Sequence, residues 1–194
     1  MSQAIRILAF AGSTRLASFN KKLLKNAAAG ARDAGAEVTI IDFRDLPMPL
    51  YDGDLEANSG IPENAMKLKA LLREHQGFLI ASPEYNSSIT GVLKNAIDWA
   101  SRQAPDEAPL ACFSEKVVGL MSASPGALGG LRSLAAIRSI LGNIGCHVHP
   151  YQVAVPRAHE AFDEQDLLKD PKQKDSIEKV GLKVVEMLKK LSAT

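Results

Sequence analysis

A chain of 194 residues, 46% hydrophobic and 23% charged, is long enough to close one well-cored domain and lies far from the composition of disordered chains. Lysine and arginine number 23 against 22 acidic residues; a formal net charge of +1 without a long block of one sign excludes a broad basic face for nucleic acid. No apolar run reaches the length of a membrane span, no signal-peptide pattern opens the chain, and Cys112 and Cys146 show neither metal-ligand nor disulfide spacing, so a single cytoplasmic domain over residues 1–194, without membrane or nucleic-acid partner, is expected.

Short apolar runs alternate with helical periodicity along the chain. Residues 5–11 predict a first strand. Residues 18–34 then put Phe19, Leu23, Leu24, Ala27, Ala28 and Ala31 on one helical stripe, with Gly35 as a stop. A second strand over 37–42 is followed by a proline- and acid-rich stretch, 43–61, read as a surface loop. Residues 62–75 predict a helix with Pro62 in its first turn and Ala65, Leu68, Leu71 and Leu72 inward. The third strand, 77–82, leads to a helix over 90–102 and a loop over 103–114. Residues 116–122 and 146–155 are the fourth and fifth strands, separated by a helix over 130–143. A loop over 156–174 precedes the last helix, 175–191, where Ile177, Val180, Val184, Leu188 and Leu191 recur at helical spacing. Most of the strands are apolar on both faces, as strands covered by helices on both sides are. Right-handed crossovers then predict an α/β fold with a five-stranded, doubly wound parallel sheet in the order 2-1-3-4-5.

In such a sheet the loops after strands one, three and four meet at the carboxyl edge, where ligands bind. The first carries Gly12, Ser13, Thr14, Arg15, Ser18 and Asn20 and no carboxylate, an all-donor set that suits a phosphate at the start of a helix; the plainer reading is that Ser18 caps and Arg15 is solvated. A dinucleotide fingerprint would need glycine where Thr14 stands, and no nucleotide P-loop sequence occurs; Asp42, at the end of the second strand, is therefore read as a capping or surface acid. The second loop, Ser82, Pro83, Glu84, Tyr85, Asn86, Ser87, brings a flat ring and an amide to the crevice and suits a planar heterocycle. The third, with Ser124, Gly126, Gly129 and Gly130, lets backbone approach a ligand or simply turns tightly. His147 and His149, two apart on a strand, are ligand-like in spacing but lack a third partner and are read as packing.

These three motifs, together with the run Gly91, Val92, Leu93, Lys94, Asn95, Ala96, Ile97, Asp98, Trp99, resemble the NADPH-dependent FMN reductase family, which includes quinone, azo-dye and chromate reductases of flavodoxin-like, three-layer sandwich fold. The resemblance covers nearly the whole chain. It implies FMN as cofactor and NADPH or NADH as co-substrate, with the phosphate held by Ser13, Arg15, Ser18 and Asn20. The isoalloxazine would meet Pro83, Glu84, Tyr85, Asn86 and Ser87, with the loop from Ser124 through Gly126 on the other side. It implies no catalytic side chain and no metal, since hydride chemistry belongs to the flavin, and a small acceptor such as a quinone or free flavin served at one open face with ping-pong kinetics. It also implies a homodimer or homotetramer in which part of residues 92–101, Trp99 included, is buried, although Trp99 suits an intrachain core equally well. Glu84 invites a role as proton donor but is read as structural. Two other readings stand beside this one. A flavodoxin-type electron carrier is disfavoured by Arg15 and by the lack of strong acidity, and a flavin-free interaction domain on the same fold would be colourless.

Overall fold

The computed structural model describes residues 4–192. Five parallel strands, β1 (Arg6–Ala11), β2 (Glu37–Ile41), β3 (Gly77–Ala81), β4 (Val117–Ala123) and β5 (His147–Val155), form one sheet in the order β2-β1-β3-β4-β5. The predicted architecture and winding are those observed. β1, β3 and β4 are buried on both faces because each has a strand on either side and helices above and below, whereas the edge strands β2 and β5 are largely half-exposed.

Side-chain alternation splits the interior into two cores. Ile7, Ala9 and Ala11 of β1 face α1 (Phe19–Asp33) and α7 (Pro171–Leu191), packing with Leu23, Ala27, Val180 and Val184. Leu8 and Phe10 face the other way, onto α3 (Glu63–Glu74), α4 (Gly91–Ala100) and α5 (Leu131–Asn143), where Leu68, Leu93, Ile97 and Ile137 fill the space. The stripes predicted for the first and last helices are those buried, except that Phe19 is only half-buried and Leu191 ends exposed.

Two of the three predicted loops contain helices. Residues 43–61 hold α2 (Gly53–Ser59), capped by the Asp52 carboxylate on Asp54 N and Leu55 N at 2.8 and 3.3 Å. Residues 156–174 hold the single turn α6 (Ala158–Ala161) and the true start of α7, which Asp170 caps just before Pro171. The strap between β2 and α2 also settles Trp99. Its ring is fully buried within this chain, and its Nε1–H donates to the Pro49 carbonyl at 2.8 Å, beside an Asn95 Nδ2 donation to the same oxygen.

Candidate active site

The carboxyl edge is built by hydrogen bonds that tie one strand's loop to the next. Thr90 caps α4 and donates its hydroxyl to the Gly12 carbonyl at 2.6 Å, so the turn after β1 is pinned to the helix after β3. A Cβ at Gly12 would stand 2.9 Å from Leu93 Cβ, which explains the glycine. Asn20 uses its carboxamide at both ends, donating to Ala123 O at 2.8 Å and accepting from Ala123 N at 3.0 Å. Ser122 and Ser133 both donate to the Ser82 carbonyl, at 2.7 and 3.1 Å. Three loops distant in sequence thus share one framework.

Within it lies a cleft of about 120 Å³, open to solvent, lined by Ser13, Arg15, Ser18 and Asn20 from the first loop, Pro83, Glu84 and Tyr85 from the second, and Ser124 from the third. Phe19, Ala123 and Pro125 line it too, although nothing in their residue types singled them out. Asn86, Ser87 and Gly126 are not among its walls. Asn86 (φ 51°) and Ser87 (φ 66°) are the corners of a tight turn closed by reciprocal bonds between Tyr85 and Ser88, 2.9 and 3.0 Å long, which leaves the Tyr85 side chain 60% exposed. Gly126 braces its own loop: its N–H meets Ser124 Oγ, and its carbonyl accepts from Gly129 and Arg157. At Gly129 a Cβ would collide with Val155 and Pro156 backbone at 2.7 Å, so that glycine serves the turn and its close packing on the end of β5.

One end of the cleft is electropositive by construction. Ser18 occupies the N-cap position of α1, but its hydroxyl makes no capping bond, so the first-turn N–H groups have no side-chain partner. Arg15 lies over the Phe19 ring at 5.7 Å, and among the described residues its guanidinium has neither a hydrogen-bond nor an ion-pair partner. Free donors, an uncompensated cation and the positive end of a helix dipole converge without a carboxylate on the loop. Asn20 is oriented by Ala123 through Oδ1 and one Nδ2–H, which leaves its second Nδ2–H and its backbone N–H as donors.

The other end is governed by Glu84, whose side chain is only 9% exposed. Its two oxygens accept from Arg132 Nε at 2.6 Å and from Arg132 N at 3.0 Å, at the N-terminus of α5. Burial pushes the Glu84 carboxyl up, but these hydrogen bonds and the Arg132 charge outweigh it and hold the group below the usual carboxylate range. Arg132 was missed in the sequence because its partner lies 48 residues away. The remaining candidates have ordinary partners: Asp42 pairs with Lys21 at 2.5 Å, His147 Nε2 sits 2.8 Å from the Glu115 carboxylate, and His149 Nδ1 accepts from Tyr151 N. Both cysteines are buried, and burial pushes the Cys146 thiol up to about 12.

The family profile of NADPH-dependent FMN reductases matches residues 5–160, which span every wall of the cleft. The chain belongs to that family. An NAD(P)H-dependent FMN reductase of Pseudomonas aeruginosa is 37% identical over 181 residues, covering 92% of each chain. A quinone reductase of Escherichia coli is 38% identical over 144 residues, 73% of this chain and 71% of that one. Among solved structures, the flavoenzyme NAD(P)H:(acceptor) oxidoreductase of Paracoccus denitrificans superposes with a TM-score of 0.81 at 26% identity, over 96% of this chain and 98% of its own. This FMN reductase family member is therefore an FMN-dependent oxidoreductase of flavodoxin-like fold that draws on reduced pyridine nucleotide. The residues present fit the cofactor: an unpaired guanidinium and an uncapped first turn are the donor set a phosphate monoester requires, and the exposed Tyr85 ring borders the cleft beyond them. No helix among the described residues is long and apolar enough to cross a membrane.

Proposed function

We propose that the protein holds FMN in this cleft and reduces quinones, free flavin or similar small acceptors at the expense of NAD(P)H. When bound, FMN supplies the hydride and electron transfer. The chain's residues bind and orient. Arg15, the Ser13 and Ser18 hydroxyls and the first-turn N–H groups of α1 hold the phosphate; Pro83 and Tyr85 flank the ring from one side, and Ser124 and Pro125 from the other. Asn86, Ser87 and Gly126 contribute by shaping the two loops. The observation that carries this reading is the Arg15 guanidinium, without an ion pair or hydrogen bond among the described residues, beside a helix without a side-chain cap, inside a cleft whose three loops are mutually pinned. The working assembly is a homodimer or homotetramer in the cytoplasm; because the strap from residue 47 covers Asn95 and Trp99, a subunit contact on α4 falls to the rest of that helix and to the strap itself.

The test is an absorbance spectrum of the purified protein with identification of the released flavin, followed by anaerobic mixing with NADPH. Bound FMN that bleaches rapidly without a second protein, and initial-rate lines that run parallel, are expected. A colourless protein that takes up no FMN would overturn the reading, and bleaching only in the presence of a partner reductase would make the protein an electron carrier.

A further inference from the structure

Arg15 and Glu84 are the only lining residues of the cleft that carry a formal charge at neutral pH, and they are treated differently. Arg15 is left free; Glu84 is enclosed by Arg132, whose Nη2 stands 2.5 Å from the same Oε1 that accepts from Nε. The ties that pin the carboxyl edge stop at Ser82. Among the described residues, the hydrogen bonds of Glu84 are the only ones that link the segment 83–88 to another element, since the Tyr85 and Ser88 bonds close the turn on itself. The segment that borders the cleft with Pro83 and Tyr85 is thus hydrogen-bonded outward at one residue, Glu84, which meets both the guanidinium and the backbone N–H of Arg132.

We propose that Glu84 and Arg132 form a positioning clip that fixes the loop after β3 against the N-terminus of α5, and so sets the width of the flavin cleft. The inference rests on the functional reading above for its purpose. The geometry also favours the ionised form of Glu84: both oxygens face N–H donors of Arg132, an arrangement that suits a carboxylate better than a carboxylic acid with a proton to give. Glu84 is therefore a positioning residue, and Arg132 is its partner.

The experiment uses the full chain and four variants, Glu84→Ala, Arg132→Ala, the two combined, and Glu84→Gln, with two readouts. The first, on protein without ligand, is the rate of chymotryptic cleavage after the exposed Tyr85; Glu84→Ala should raise it about tenfold, the scale of one charge-assisted hydrogen bond, Arg132→Ala should raise it less because its backbone N–H still donates to Glu84 Oε2, and the double variant should go no further than Glu84→Ala. The second is FMN affinity by fluorescence together with kcat and KM for a quinone across pH. Glu84→Ala should weaken FMN about tenfold and raise KM more than it lowers kcat, Arg132→Ala should do the same to a smaller extent, and Glu84→Gln, which keeps one acceptor, should recover to within about threefold. Effects that multiply in the double variant would overturn the clip. A Glu84→Gln enzyme whose kcat falls about a hundredfold, with the acid-side ionisation gone from its pH profile, would make Glu84 a proton donor instead. If the wild-type chain takes up no FMN, the functional reading fails while the cleavage rates still decide the clip.

Discussion

At the amino edge of the sheet, the loop between α4 and β4 folds around charges that are fully answered, whereas at the carboxyl edge the loop after β1 leaves a charge open. Lys69 and Glu107 are each about 3% exposed and 2.7 Å apart, and Lys69 also donates to the carbonyls of Ala100 and Arg102, closing the end of α4. Glu107 in turn accepts from Ala104 N and from Arg73. Arg15, by contrast, has no ionic partner among the described residues. Both regions carry charged side chains in irregular backbone, and only the second has capacity to spare. A satisfied buried charge maintains the fold; an exposed, unpaired one beside a helix N-terminus is available to a ligand.

The comparison breaks most visibly if the amino edge proves dispensable. Glu107→Ala leaves the Lys69 ammonium buried without its counter-ion and should cost about 3–5 kcal/mol in a denaturant melt, the range for removing one partner of a buried pair. The double replacement Lys69→Met with Glu107→Leu should recover much of that loss, since an apolar pair avoids desolvation. Burial pushes the Glu107 carboxyl up, but Lys69, Ala104 N and Arg73 outweigh it and hold it below its ordinary value. Its contribution is therefore complete above the unfolded carboxylate pKa of about 4.3 and is lost as pH falls through the lower folded value.

At the carboxyl edge the opposite pattern is expected from Arg15→Ala. FMN affinity should fall by about 1.5–3 kcal/mol, the range for hydrogen bonds to a charged group, as read by fluorescence titration. The melt of the FMN-free protein should move by less than about 0.5 kcal/mol, because the exposed side chain has, among the described residues, only its contact with the Phe19 ring to lose. A large loss of stability with unchanged FMN affinity would reverse the roles of the two edges.

Why the sheet was legible and part of the site was not follows from the range over which each signal acts. Strand and helix periodicity is local: the run Ile7 to Ala11 and the stripe Leu23, Leu24, Ala27, Ala31 announce burial on both sides of β1 and on one face of α1. α2 escaped because none of its residues is buried, so it has no apolar period; its signal was the cap, Asp52 with Asp54 and Glu56 in the first turn and Gly60 at the end. The early start of α7 was likewise marked only by Asp170 before Pro171. In the cleft, donor-rich composition identified which loops meet, but not which donors remain free. The engagement of Asn20 with Ala123, 103 residues on, and of Glu84 with Arg132 are tertiary facts with no local trace.

Asp42 sharpens the comparison at its finest scale, because it stands on the same carboxyl edge as Arg15 and, in a dinucleotide-binding sheet, would be placed to meet a ribose. Here its carboxylate is engaged by the Lys21 ammonium and by Arg44 N at 3.0 Å. Burial pushes its carboxyl up, yet those partners prevail and hold it below its usual value. The pair is partly exposed, at 19% and 33%, so Asp42→Asn should cost about 0–1 kcal/mol of stability. That increment is present above the unfolded pKa of about 3.9 and disappears as pH drops through the depressed folded value. Affinity for FMN and KM for NADPH should stay within about twofold, since a charge answered inside the chain has nothing left to offer a ligand. A tenfold rise in KM for NADPH would instead make Asp42 part of the site and extend the open region along the whole carboxyl edge.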